Sequence, residues 1–370
     1  MLFDFFTKSK LQIGFDITSS GIFGVSLKKE KDGFVLQNYL FKKFEGDVVQ
    51  SGVICDTEAF ESVLNEFAKE EGFQGGVVNI SLPSNTAFIK TIVLPDIPIE
   101  ELKIIIPQEA AKHIPFSVND MNVDFEVIRK IKDEASEKKE VEAVLVALAR
   151  NIAKSYVDSF YKAGFNLVGI DLAPFSAART LANANLIDEE NLFMSLLISE
   201  EHSDINILSN GMPVFLHSAP LGRKNIIEAI AGALEIDFAQ AEEQLSEVCL
   251  NTPGVEINSD IQTSKASNAA RAVYNNIAAE VLKSMEFYAS QTFENYSIET
   301  VVLSGSGACV QNIDKYFTHR LKADTVLCDV FENIDLSNCP IDTETEESAN
   351  VELLSTKPSY VSSVGLALKG

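Results

Sequence analysis

The sequence predicts an α/β protein of two lobes, with a small α/β block inserted in the first. Three observations carry this reading. A chain of 370 residues exceeds the roughly 100 to 200 expected of one domain. Two stretches, Leu11 to Leu40 and residues 191 to 220, each read as three short strands separated by turn signals, which suggests one lobe plan used twice. Between them a mixed segment of strands and helices interrupts the first plan before a further strand and helix complete it.

The elements follow in order. The first meander holds IGFDITSSGIFGV (13 to 25), an apolar run with one acid, a knot of small hydroxylated residues and a resumed apolar run; its turn signals are Thr18 to Gly21 and KEKDG at 29 to 33. Thr57 is placed to cap a helix to about Lys69, with Phe60, Val63, Leu64 and Phe67 at helical spacing, and GGVVNISLP (75 to 83) returns as a strand. In the inserted block Thr86 to Leu94 is a strand and Pro98 suits a first helical turn. IEELKIIIPQEAAKHI is helical, with Pro107 expected to kink or divide it because proline lacks the N–H and crowds the preceding turn. DFEVIRK (124 to 130) and EVEAVLVALA (140 to 149) pair through the charged turn KDEASEKK, and a helix with Ile152, Tyr156, Phe160 and Tyr161 on one side ends near Gly164.

NLVGIDLAPFSAARTLAN then supplies a strand and a helix that close the first lobe. The second meander is NLFMSLLIS, DINILSNG and MPVFLHSAP, with turns at Glu200 to Ser203 and Ser209 to Gly211. Residues 223 to 248 read as helical, 252 to 268 as a polar loop, and 269 to 293 as a long helix with Val273, Ile277, Val281, Met285 and Tyr288 along one stripe. TVVLSG (300 to 305) meets a helix through SGSGA, and the acidic IDTETEESAN (341 to 350) is expected to be a mobile loop. The organisation is therefore 1–83 as first-lobe core, completed by about 169–190 and 351–370. Residues 84–168 form the inserted subdomain, 191–222 with 298–350 the second-lobe core, and 223–297 its helical subdomain.

Composition excludes several functions. With 54 acids against 30 bases the formal charge is −24, and no basic cluster offsets it, so no nucleic acid and no anionic lipid surface is expected as a partner. The five cysteines (55, 249, 309, 328 and 339) show no C-x-x-C spacing and an odd count, which suits reduced thiols. MLFDFFTKSKLQ lacks a basic lead and a cleavage site, and VEAVLVALA (141 to 149) falls far short of the roughly 20 residues that span a bilayer, so no direct membrane insertion is expected. The four histidines make no H-x-x-x-H or H-x-x-E pair, and G-x-S-x-G is absent.

Two segments could carry phosphate chemistry. Asp16 ends a buried strand, where it could hold a hydrated Mg²⁺, and Thr18, Ser19, Ser20 and Gly21 form a tight turn whose N–H groups could approach phosphate oxygens; the other reading is an ordinary strand pair with a hydroxylated turn. Gly305, Ser306, Gly307 and Ala308, in SGSGA, make a glycine-rich strand-to-helix turn that would admit a base or a phosphate, or would let a strand and a helix pack closely.

The whole succession resembles the actin-like ATPase superfamily and, within it, the type IV pilus assembly protein PilM family. The similarity is most specific in IVLPDIPIEEL (92 to 102) leading into QEAAKHIPFSVNDMNVDFEVI (108 to 128). It continues in AEVLKSMEFYAS (279 to 290), VVLSGSGACVQNIDKYF (301 to 317) and VSSVGLALKG (361 to 370). The resemblance implies an actin-like, ribonuclease H-like fold of two lobes, with an FtsA-like subdomain inserted in lobe one and ATP with Mg²⁺ in the interlobe cleft. It also implies a cytoplasmic protein held at the inner membrane by the N-terminal tail of a PilN-like membrane protein, among other pilus assembly components. The cleft residues would be Asp16 (also the metal ligand), Thr18, Ser19, Ser20, Gly21, Glu242, Gly305, Ser306, Gly307 and Ala308. The tail would lie between 84–168 and the first lobe, in a groove lined by residues such as those of IKTIVLP.

The chain departs from the family pattern where γ-phosphate would be held. A motif similar to D-[IV]-G-x-x-x-T is replaced by Leu197 to Ser203, with leucine at the acid, serine at the glycine and Glu200 and Glu201 in the turn. Two unit charges about 4 Å apart at an effective dielectric of about 20 repel by roughly 4 kcal/mol at most, so this turn disfavours a triphosphate. In the stretch similar to A-E-x-x-K, Glu242 remains but Leu245 replaces the lysine; Gly222-Arg223 stands for a glycine pair, and His217 where arginine is common. The expectation is a scaffold with a degenerate nucleotide cleft, no catalytic residue and no productive hydrolysis; the alternative is an ATP-binding switch or weak ATPase of the same complex.

Overall fold

Apolar residues between Leu11 and Lys43 build a meander. Strands β1 (Leu11–Ile17), β2 (Gly21–Glu30) and β3 (Gly33–Lys43) pair antiparallel in succession. The computed structural model describes residues 11–131, 139–186, 192–209, 211–250, 261–291, 298–338 and 356–369. The short pair β4 (Val49–Gln50) and β5 (Val53–Ile54) leads to α1 (Thr57–Phe67), which buries Phe60, Leu64 and Phe67. Its cap is Asp56 rather than Thr57: the carboxylate accepts from the Ala59 N–H at 3.0 Å, where the helix dipole favours negative charge. β6 (Val77–Leu82) then pairs with β1 in parallel.

The inserted block contains β7 (Ala87–Pro95), α2 (Ile99–His113), β8 (Met121–Ile131) and β9 (Glu140–Ala149), the strands forming an antiparallel sheet in the order β7-β9-β8. Alternation gives the sheet two faces. One packs Ile92, Leu94, Ala143 and Leu145 on Leu102, Ile106 and Ala110 of α2; the other turns Val146 and Leu148 toward the first lobe. The helix runs unbroken through Pro107, which lies on its exposed face, where the carbonyl left unpaired is open to solvent. Then α3 (Arg150–Lys162), β10 (Asn166–Leu172), parallel to β6, and α4 (Ala173–Asn183) complete the lobe.

The second lobe repeats the plan. β11 (Phe193–Ile198), β12 (Ser203–Ser209) and β13 (Met212–Ala219) form its meander, followed by α5 (Arg223–Leu234), α6 (Phe238–Leu245) and α7 (Ile261–Gln291). β14 (Thr300–Ser304), α8 (Ile313–Leu321), β15 (Asp324–Leu327), β16 (Ile334–Asp335) and α9 (Val361–Ala367) end the chain. The sheets read β10-β6-β1-β2-β3-β16 and β13-β12-β11-β14-β15. Apart from β16, which crosses over to pair in parallel with β3, each has its antiparallel meander extended by two parallel strands beside the first.

Three expectations change. The helical stretch 223–248 divides at Glu235, which adopts a left-handed conformation (φ 58°). Residues 261–268, expected in a loop, open the 31-residue α7, because Ala266 and Ala270 are buried in the second-lobe core and tertiary packing overrides a polar composition. Strand β15 was not foreseen. The acidic segment 341–350 and residues 132–138 of the charged turn lie outside the described residues.

Between the lobes, α4 and α9 join the sheets through a core that includes Phe23, Leu181, Leu197, Val302, Phe331 and Val364. Two glycines permit this. A Cβ on Gly14 would stand 2.0 Å from the Ser363 carbonyl oxygen, and one on Gly365 would stand 1.8 Å from that of Ser176, so α9 crosses β1 and α4 at backbone contact.

Candidate functional site

The equivalent turns of the two lobes, β1–β2 and β11–β12, meet at the interlobe cleft. On the first-lobe side, parallel register sets Asp16 of β1 against Ser81 of β6, and the Ser81 hydroxyl donates to the carboxylate at 2.6 Å. Asp16 is buried. Desolvation pushes its pKa from 3.8 up to about 7, against the pull of Ser81, and the nearby Glu200 and Asp204 raise it further. The turn after it is largely closed on itself. The Thr18 N–H donates to the Gly21 carbonyl (3.0 Å), as does the Thr18 hydroxyl (2.8 Å), which also accepts from the Gly21 N–H (3.2 Å) and lies 3.1 Å from the Ser20 hydroxyl. Among the described hydrogen bonds none takes the N–H of Ser19 or Ser20. A Cβ on Gly21 would lie 2.3 Å from the Lys42 carbonyl oxygen.

On the second-lobe side the same register pairs Leu197 of β11 with Ser304 of β14. Where the first lobe has a hydroxyl bonded to a carboxylate, here the Ser304 hydroxyl is fully buried with no partner among the described residues, and leucine offers it none. Leu197 packs in the interlobe core instead. Its cross-strand neighbour is Asp204, which accepts from Ser84 of the first lobe at 2.5 Å; burial raises its pKa, opposed by bonds from Ser84 and Ser218.

Glu200 is buried beside these turns, with 6 % exposure. Its Oε1 accepts from the Ser306 hydroxyl (2.7 Å), and its Oε2 lies 3.6 Å from Arg223 Nη1. Arg223 also holds Glu242 (2.8 Å), and Glu242 receives Lys43 of the first lobe at 2.6 Å. Burial works to raise the Glu242 pKa, but its bonds with Lys43 and Arg223 outweigh that and hold it below the usual value. Two carboxylates and two cations thus form a neutral chain across both lobes. The first N–H groups of α5 are spent as well: Arg223 donates to the Ser199 carbonyl (2.9 Å) and Lys224 to that of Glu200 (2.8 Å).

The glycine turn 305–308 reaches the same place, and packing accounts for its glycines. Gly305 has φ 91° and its N–H goes to the Pro358 carbonyl (2.8 Å); a Cβ there would meet the Ile198 carbonyl oxygen at 2.4 Å. A Cβ on Gly307 would lie 2.3 Å from Ile198 Cγ2, and the Gly307 carbonyl accepts from the buried Tyr274 hydroxyl (2.7 Å). Ala308 donates to the Gly305 carbonyl (3.0 Å). Asp16, the Thr18–Gly21 turn, Glu242 and the 305–308 turn therefore gather at one cleft. The sequence reading missed Ser81, Ser84, Asp204 and Lys43; only the positions of Arg223 and Glu200 carried a signal, as departures from a family pattern. Among the described residues no group of three or more His, Cys, Asp or Glu side chains is placed to hold a metal ion.

A second feature lies between the inserted block and the first lobe, a groove of about 870 Å³. One wall is the bare face of the small sheet, with Val144, Val146 and Leu148 of β9 beside Asn122, Asp124 and Glu126 of β8; the other is Ile170 and Leu172 of β10 with Phe175, Ala178 and Arg179 of α4. Val157 of α3, Pro213 of the second lobe and Lys369 close its ends. The stretch IKTIVLP (89 to 95), expected to line such a groove, does not: it forms β7, on the far side of β9. Among the described residues no helix is long and apolar enough to cross a membrane.

The family model described as type IV pilus assembly protein PilM matches residues 14–370. Among solved structures, the chain is similar to a "PilM-PilN type IV pilus biogenesis complex" (21 % identity, 98 % of each chain covered, TM-score 0.79). It is also similar to the ethanolamine utilization protein EutJ from Carboxydothermus hydrogenoformans (14 %, 97 % of this chain and 90 % of that one, 0.56). A third likeness is to the MamK double helical filament (12 %, 86 % and 94 %, 0.52). With the duplicated sheets and the inserted subdomain, these findings show an actin-like fold. The match from Gly14 to the last residue shows that the chain belongs to the type IV pilus assembly protein PilM family.

Proposed function

We propose that this protein is a cytoplasmic scaffold of the pilus assembly machinery, whose output is the groove between the inserted subdomain and the first lobe. Its occupant is the N-terminal cytoplasmic tail of a PilN-like inner-membrane protein, through which the scaffold is held at the membrane with the other assembly components. The groove carries the reading: an apolar trough open to solvent suits an extended peptide whose alternate side chains enter it. The likeness to a PilM–PilN complex supports the choice of partner.

The interlobe cleft is degenerate in this account. As arranged, its residues do not fit a triphosphate with Mg²⁺. Glu200 fills the turn, Leu197 replaces the second acid and leaves Ser304 without a partner, and the amides of Thr18, Gly305, Arg223 and Lys224 are bonded elsewhere. Glu242, expected near a ribose, is held by Lys43 and Arg223. The alternative, an ATP-binding switch, rests on the N–H groups of Ser19 and Ser20, which have no described partner, and on the retention of Asp16.

A titration of the purified protein with a synthetic peptide of the cognate tail tests the groove. Saturable binding that Ala182→Trp, a bulky change at an exposed lining position, removes is the expected result. No binding at millimolar peptide would sink the assignment. Calorimetry with ATP and Mg²⁺ separates the two readings of the cleft: heat of binding that Asp16→Ala abolishes would favour the switch.

A further inference from the structure

The two walls of the groove differ in how their charges are paired. On the lobe-one wall Asp171 is neutralised twice, by Arg179 at 2.8 Å and Lys369 at 3.3 Å, and Arg179 also donates to the Gly365 carbonyl at 2.7 Å. On the facing wall, β8 presents Asp124 and Glu126 at alternate positions of one sheet face, both exposed. Among the described residues neither makes an ion pair; Asp124 accepts from the N–H of Phe125. Two other carboxylates of this block do hold cations: Glu142 pairs with Arg129 (2.7 Å), and Asp96, just after β7, pairs with Lys130 (2.9 Å). The groove is thus apolar along Val144, Val146 and Leu148 and carries two acids outside any described ion pair directly across the strand pair from them, Asp124 opposite Val146 and Glu126 opposite Val144.

We infer that this acidic wall selects a basic residue of the docked tail, so that the recognised peptide is an apolar stretch with lysine or arginine placed over β8. The inference rests on the groove reading above. It follows from charge complementarity in both partners: the cytoplasmic segments next to a membrane span carry an excess of lysine and arginine, and a chain with formal charge −24 attracts them before contact. Asp171 cannot serve this purpose, since its two cations already neutralise it. The acids act on register. Apolar side chains alone would let an extended peptide slide by two residues, whereas a cation fixed over Asp124 and Glu126 sets which side chains meet Val146 and Leu148.

The test uses the full chain and two synthetic peptides, the N-terminal tail of the cognate PilN-like protein and the same tail with every lysine and arginine replaced by glutamine. Exposed ion pairs of this kind predict that neutralising the tail weakens binding about ten-fold at low salt. Asp124→Asn with Glu126→Gln should weaken the native tail by the same factor, abolish the difference between the peptides and flatten the salt dependence. Equal binding of both peptides to the unaltered protein, or unchanged native-tail binding by the double variant, overturns the inference while leaving the groove in place. A tail that binds equally well to Ala182→Trp and to the unaltered protein overturns the groove assignment itself.

Discussion

The Asp16 carboxyl makes stability depend on pH with a definite sign. Its folded pKa, about 7, stands above the 3.8 of the unfolded chain, so the folded protein binds one more proton between those values. The contribution is fully present below pH 3.8 and is lost as pH rises through 7. A difference of about 3 units at about 1.4 kcal/mol each gives a loss of about 4 kcal/mol by pH 8, of which about 2 kcal/mol falls between pH 5 and pH 7. Asparagine keeps an oxygen for the Ser81 hydroxyl and carries no charge. Asp16→Asn should therefore gain on the unaltered protein as pH rises, by about 3 kcal/mol between pH 5 and pH 8. Urea unfolding at several pH values reads this directly. Asp204, whose pKa is also raised, slopes both proteins in the same direction, so the difference between them reports Asp16 together with its coupling to that neighbour. Profiles that run parallel within about 0.5 kcal/mol would refute the reasoning, because an ionised Asp16 at pH 5 has no proton to lose.

The remaining predictions concern packing and unpaired groups. Ser304→Ala removes a buried hydroxyl that has no partner and should leave thermal stability unchanged or improve it by about 1 kcal/mol. Ser81→Ala, at the equivalent position of the first lobe, takes a hydrogen bond from a buried carboxyl and should cost about 1–3 kcal/mol. Equal losses in the two variants by calorimetry would contradict the account of Leu197. Gly365→Ala places a Cβ 1.8 Å from the Ser176 carbonyl oxygen, so α9 must move away from α4; a loss of about 1–3 kcal/mol in urea unfolding is expected.

The duplicated plan was legible because each meander is a run of apolar strands broken by strong turn signals, and β1–β3 and β11–β13 fall where those signals put them. The start of α7 was not, because residues 261–268 are polar and become helical only through burial of positions such as Ala266 against the second lobe. Strand β15 is four residues long, too short to show a period. In the cleft, Asp16 and the two turns could be named from type and order. Their partners could not: Lys43 and Glu242 are 199 positions apart, and Ser84 and Asp204 are 120 apart, so only the fold brings them together. A groove does lie between the elements the sequence pointed to, but the stretch IKTIVLP is not among its lining. A strand's two faces look alike in sequence when both are apolar; Ala87 and Ile89 of β7 also pack on the first lobe, and only the sheet order β7-β9-β8 decides that β9 and β8 line the groove.

The central claim is that the groove works while the cleft is closed by Lys43, Glu242, Arg223 and Glu200. Calorimetric titration of the full chain with the cognate tail peptide, with and without ATP and Mg²⁺, tests it most directly. The account predicts the same affinity in both conditions and no heat from nucleotide alone. Tail binding that appears only with ATP, and that Asp16→Ala abolishes, would contradict it.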